Sequence, residues 1–185
     1  MLKKINFTNK KGKFNPIKRN NEQVILERKE KAKYMAGVTA KEKTIIYLDE
    51  TAIDETLVPS RGYAPAGEPF VLHMKPKKER VSLLAAISKN ELLGYIIFEG
   101  SVKAVDYGSF LLELIGRNEE LLYNLENCVF YMDNASIHKA ALLKPLFSKL
   151  NIFYAAPYSP FLNPIEEFFG VVKHRMRKLK FDSRF

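Results

Sequence analysis

Cysteine is nearly absent: Cys128 is the only one in 185 residues. That excludes an internal disulfide framework and a cysteine-rich zinc site. It fits an intracellular protein, without choosing a compartment. Cys128 lies within the apolar run Cys128-Val129-Phe130 and reads as a buried structural thiol. Long apolar runs are also missing. No stretch reaches membrane-spanning length, and the lysine-rich start has no apolar segment behind it, so neither a span nor a secretory signal is expected. No phosphate-binding glycine motif is present, which removes nucleotide-hydrolysing motors. Ser136 has His138 and Asp133 nearby but no nucleophile elbow around it, and two residues of separation do not build a triad. There is no internal repeat, and low complexity is confined to the lysine-rich start.

What is present suffices for one domain with a proper core. An apolar fraction of 46% argues against disorder over most of the length. The net charge is +9 and unevenly placed. Residues 1–43 hold 13 Lys and Arg against 4 Glu, whereas residues 44–185 hold 17 of each sign. A basic leader on a neutral domain suits a polyanionic partner. Local clusters recur within the neutral part. Lys75, Lys77, Lys78 and Arg80 form one; Lys173, Arg175, Arg177, Lys178 and Lys180 form another.

The periodicities predict an ordered series of elements. Residues 1–20 read as irregular and 21–36 as a weakly amphipathic helix stopped by Gly37. Residues 44–48 are β-branched and apolar, a buried strand. Pro59, Gly62, Pro65 and Gly67 supply turn chemistry. Residues 70–74, 80–88 and 92–99 read as short antiparallel strands, with Gly94 marking a bulge. A helix is expected over 106–125, a strand over 128–132, a helix over 140–150 and a strand over 151–155. Asn163 then caps a helix with Pro164 at its first position. This order is an α/β sandwich with a mixed central sheet flanked by helices, similar to the ribonuclease H-like fold.

The chemistry rests on carboxylates at element edges. Asp49 and Asp133 each end an apolar strand, where side chains project into a common cleft. Glu166 and Glu167 fall in the first turn of the last helix, where the macrodipole favours the ionised form; spacing does not choose between them. Three such acids suit two Mg²⁺ ions roughly 3.5–4 Å apart, which activate an oxygen nucleophile and stabilise a leaving oxygen in phosphodiester chemistry. Mg²⁺ takes hard oxygen ligands and needs only a few carboxylates.

Four linked motifs carry a resemblance. They are Leu48-Asp49-Glu50-Thr51; Arg61-Gly62-Tyr63-Ala64-Pro65-Ala66-Gly67; Met132-Asp133-Asn134 with His138; and Tyr158-Ser159-Pro160 with Leu162-Asn163-Pro164-Ile165-Glu166. In this order, over residues 44–179, the sequence resembles the catalytic domain of mariner-type transposases within the DDE superfamily. The resemblance implies that Asp49, Asp133 and Glu166 are the catalytic acids and hold two Mg²⁺ or Mn²⁺ ions. It places His138 behind those ligands; Asn134 orients Asp133 beside it, contacts DNA or serves the turn. It implies duplex DNA as partner, both transposon ends and target, with a homodimer on the DNA. Arg61, Lys75, Lys77, Lys78, Arg80, Lys173 and Arg175 are then the expected DNA contacts. The chain departs from the family in having Phe161 where an acid usually stands, and 32 residues between Asp133 and Glu166, slightly fewer than is common. Helix-turn-helix modules that usually precede the domain are not found, so the expectation is a leader over 1–43 and a catalytic domain over 44–185, shortened at its end. The rival readings are a non-catalytic DNA-binding relic of a transposase and a ribonuclease H-type nuclease acting on RNA–DNA hybrids.

Overall fold

The computed structural model describes residues 17–53 and 81–182. The expected turn over 57–67, the strand over 70–74 and the first sixteen residues lie outside the described residues. Helix α1 (Glu22–Ala40) opens on Asn21, whose side-chain oxygen accepts from the Val24 amide at 2.9 Å. It runs through Gly37, because one interior glycine costs only about 1 kcal/mol. Glu42, with a positive φ of 55°, turns the chain instead.

Strand β1 (Thr44–Ile53) is twice the expected length. Pairing explains the difference. β2 (Val81–Ile87) runs antiparallel to it from Tyr47↔Ile87 to Ile53↔Val81, so the ladder continues beyond Asp49. β3 (Leu92–Glu99) pairs antiparallel with β2. Its register shifts beside Ala86 and Ile87, next to Gly94 as expected. Helix α2 (Ala104–Arg117) packs there so closely that a Cβ on Gly94 would lie 2.8 Å from Leu114.

The helix expected over 106–125 divides at Asn118. The Asn118 side-chain amide donates to the Leu114 carbonyl at 3.0 Å, competing for a helix acceptor. A short α3 (Glu119–Tyr123) and a 3₁₀ turn follow. β4 (Cys128–Met132) is fully buried and parallel to β1. The helix expected over 140–150 shrinks to a 3₁₀ turn and the single turn α4 (Lys144–Phe147). Pro145 has no N–H to continue a ladder back to Ala141. β5 (Ile152–Tyr154) pairs parallel with β4 and is shorter than expected. Helix α5 (Ile165–Asp182) closes the described chain.

The five described strands form one mixed sheet in the order β3-β2-β1-β4-β5. Strand alternation divides the core in two. Ile46, Leu48, Leu84 and Met132 face Tyr107, Phe110, Leu111 and Leu114 of α2. Leu83 and Ala85 face Ile165 and Phe169 of α5, with Tyr47 against them. No described helix is long and apolar enough to cross a membrane.

Candidate active site

Parallel pairing sets the first two acids. Tyr47 of β1 stands opposite Tyr131 of β4. Two residues further along each chain come Asp49 and Asp133. β4 ends at Met132 while β1 continues, so the sheet opens beside Asp49 and forms a crevice at the carboxyl end of β4. Crevices at the carboxyl ends of parallel strands are where such sheets bind ligands. The expectation that Asp49 ends its strand is therefore corrected: its parallel partner stops, and the strand does not.

Asp49 shares the strand face of Tyr47, and α5 packs on that face. Asn163 starts α5: its side-chain oxygen accepts from the Ile165 amide at 3.4 Å and its carbonyl accepts from the Glu166 amide at 3.1 Å. Ile165 and Phe169 anchor the helix at 0% and 2% exposure. Glu166 lies on the flank of that stripe. Asp49, Asp133 and Glu166 all line one cleft of about 560 Å³. Glu167 is exposed and does not line it.

The acids are held by neighbours. Asp49 accepts from the Glu50 amide at 2.8 Å and from the Asn163 side-chain amide at 3.3 Å. Burial raises its pKa to about 7; the Glu50 amide opposes this, and the charges of Asp133 and Glu166 add to it. Asp133 lies 2.9 Å from His138 Nδ1 and accepts from the Ala135 amide at 3.0 Å. Burial works against its charge, yet those two bonds hold its pKa below the ordinary value. His138 is 2% exposed. Burial alone would lower its pKa, but the bond to Asp133 and the charge there leave it raised. Its ring rests 4.5 Å from that of Tyr107, and its carbonyl accepts from the Tyr154 hydroxyl at 3.1 Å. Asn134 is exposed on the cleft wall.

Sequence reasoning overlooks Glu50, Ser159 and the reach of Asn163 to Asp49. Glu50 points to the opposite strand face, yet lines the same cleft, and its Oε2 is buried without a hydrogen-bond partner. Its place beside Asp49 in the first of the four motifs is the available signal. Asn163 is legible only as a cap. Among the expected DNA contacts, Lys173 donates to Thr51, two residues beyond Asp49 on the same face, and is not free on the surface. Arg175 is exposed. Arg61, Lys75, Lys77, Lys78 and Arg80 lie outside the described residues. Phe161, the departure from the family pattern, has a local partner set: the guanidinium carbons of Arg19 and Arg28 stand 5.1 and 5.3 Å from its ring centre.

No three acidic, histidine or cysteine side chains close into a ready-made metal cage among the described residues. The donor chemistry nevertheless fits a hard divalent cation. Mg²⁺ binds through one or two carboxylates and keeps waters and substrate phosphates, so a closed protein cage is not required. A carboxylate oxygen shut away at Glu50 and a carboxyl held near pH 7 at Asp49 both mark a cleft short of positive charge.

Residues 44–184 match the family described as DDE superfamily endonuclease. No curated protein matches the chain in sequence. The fold is similar to Mos1 transposase in a paired-end complex with the left transposon end, with a TM-score of 0.73 at 21% identity. That match covers 95% of this chain and 55% of the other. The Mos1 mariner paired-end complex with Mn gives 0.69 at 19% identity, covering 100% and 61%. The catalytic domain of Mos1 mariner transposase gives 0.62 at 18% identity, covering 89% and 82%. The chain thus spans little more than half of the longer Mos1 chains, and the likeness is one of fold: a mixed five-stranded sheet flanked by helices, as in ribonuclease H-like domains.

Proposed function

Because this chain belongs to the DDE superfamily endonucleases, we propose that it is the catalytic part of a mariner-type transposase, cutting and joining DNA phosphodiesters with divalent metal. The observation that carries this reading is that Asp49 and Asp133, following the parallel β1–β4 pair, line one cleft with Glu166, which α5 brings to it. Those three residues would hold Mg²⁺ or Mn²⁺ as a pair of ions. Such ions, when bound, activate the attacking oxygen and stabilise the leaving one.

The chain's own groups prepare the cleft. The amides of Glu50 and Asn163 fix both carboxylate oxygens of Asp49. His138 holds Asp133 in one orientation from behind, against the ring of Tyr107. Asn134, exposed on the cleft wall, would contact a strand bound there. Duplex DNA, as transposon ends and target, is the substrate, met by a homodimer on the DNA. The protein then works where DNA is, in the nucleus or the bacterial cytoplasm. Residues 1–43 serve as a basic leader to a catalytic unit over 44–185, with Arg175 and the basic residues 61–80 contributing phosphate contacts.

The test is nicking of duplex DNA by purified protein with Mg²⁺ or Mn²⁺, beside Asp49→Asn and Asp133→Asn. An amide keeps shape and loses charge. Both variants are expected to lose cutting while still binding DNA. Wild-type protein that binds duplex DNA and never cuts it with either metal would overturn the proposal in favour of a binding-only relic. Preference for an RNA–DNA hybrid would move the substrate.

A further inference from the structure

Helix α1 belongs to the basic leader, yet two of its cations act inside the fold. Arg28 Nε donates to Ser159 Oγ at 2.8 Å and its Nη2 donates to the Arg19 carbonyl at 2.9 Å. The same guanidinium lies over the Phe161 ring. Lys31 donates to the carbonyls of Tyr154 and Ala155 at 2.8 and 3.1 Å, and Tyr34 stacks on Phe153 at 4.9 Å. The helix is therefore fastened to β5 and to the segment that leads into α5.

What hangs from Arg28 is the acid cleft. Ser159 is 3% exposed; its hydroxyl accepts from Arg28 and donates to the Pro157 carbonyl at 3.0 Å. Its own carbonyl accepts from the Leu162 amide at 3.1 Å, closing a 3₁₀ turn whose Pro160 carbonyl accepts from the Asn163 amide at 2.8 Å. Asn163 then reaches Asp49 with its side chain and Glu166 with its carbonyl. Hydrogen bonds and the short backbone between them thus join Arg28, through Ser159 at 131 residues' separation, to Asp49 and Glu166.

We propose that Arg28 is a positioning residue for this cleft: it holds the turn Pro160–Leu162 so that Asn163 and Glu166 keep their places against Asp49. The role rests on the proposed reading of the cleft, and it needs a planar fork. Arginine can bond two oxygens and stack on an aromatic face at once, whereas lysine offers a point charge. The competing occupant of that charge is a DNA phosphate.

The test is amide hydrogen exchange on the full chain. Arg28→Ala is expected to speed exchange at Leu162, Asn163 and Glu166 by about tenfold or more, with β1 and β4 unchanged. Arg28→Lys should not restore the slow rate, and Lys29→Ala, on the exposed side of the helix, should leave it alone. Mn²⁺ alone, followed by titration calorimetry, should bind about tenfold more weakly to Arg28→Ala. If Arg28→Ala loosens the whole sheet, Phe161→Leu, which removes the ring contacts of Arg28 and Arg19 and leaves the Arg28 hydrogen bonds, must still speed those three amides. Unchanged exchange in these variants overturns the proposal. So does full rescue by Arg28→Lys, or unchanged exchange with a shallower salt dependence of DNA binding, which would make Arg28 a phosphate contact. Failure of wild-type protein to bind Mn²⁺ would count against the cleft reading, while the exchange rates still decide the role of Arg28.

Discussion

Asp49 is the residue at which the competing demands are clearest. Its carboxyl ionises at about 7 in the fold and near 3.8 when unperturbed. Between those values the folded chain holds a proton that the unfolded chain has released, so stability falls as pH rises from about 4 to about 7 and stays low above it. Asp49→Asn removes that cost. Without metal, the variant should be more stable than wild type at pH 8 by about 1–3 kcal/mol, reduced from the full shift because the cleft is open to water. Near pH 4 the gain should vanish. Added Mg²⁺ should stabilise wild type and not the variant. Thermal unfolding at both pH values, with chelator and with Mg²⁺, reads all of this, and a variant weaker than wild type at pH 8 in chelator would refute the cost assigned to the buried charge of Asp49. His138 has the opposite sign. Its raised pKa contributes stability that is complete below its ordinary value of 6.5 and fades as pH climbs through the folded value. The destabilisation caused by His138→Gln should accordingly be larger at pH 5.5 than at pH 8.5 in urea titrations.

Elements place these residues through close packing that one atom can upset. At Gly94 the sheet and α2 touch: Ala there sets a Cβ 2.8 Å from the Leu114 Cδ1. Gly94→Ala should cost about 1–3 kcal/mol, as overpacked cores do. Shortening the opposing side chain in Gly94→Ala with Leu114→Val should recover part of that cost, and urea midpoints give both numbers. Gly170, exposed within α5, has nothing near its missing Cβ. Gly170→Ala should add about 0.5–1 kcal/mol, because only the helix penalty of glycine is removed. A drop in stability there would mean that this face of α5 is covered. Local rules locate most elements but not their ends. β4 and β3 are legible at full length from apolar and β-branched runs. One helix ends sooner than its periodicity suggests, at Asn118, where a side-chain amide competes with the ladder, and another starts later, with Pro145 in its first turn, where a missing N–H bars a ladder back to Ala141. β1 runs longer than its apolar stretch, because its second half, Asp49 to Ile53, is polar and mixed, and only pairing with β2 makes it a strand.

The whole molecule combines a neutral body with a leader that carries the net charge, and the described part of that leader is not a uniform arm. Arg28 and Lys31 bond within the fold, so they contribute less to polyanion binding than their charges suggest. Lys3, Lys4, Lys10, Lys11 and Lys13 lie upstream. Deleting residues 1–16 should flatten the dependence of log DNA affinity on log salt, by about 0.9 for each phosphate no longer neutralised, with little dependence on DNA sequence. An unchanged slope in a fluorescence-anisotropy titration would show that this segment touches no phosphate. By itself the sequence determined the α/β order and the mixed sheet and marked Asp49, Asp133 and Glu166 as candidate acids, because periodicity, caps and linked motifs are local information. Only the tertiary structure decided that Asp49 and Asp133 line one cleft beside a parallel pair, that Glu50 lines it with a buried, unpartnered oxygen, and that Lys173 and Arg28 bond inward. Those facts depend on register and on partners up to 131 residues apart, and no local pattern encodes which distant oxygen a lysine or arginine will meet.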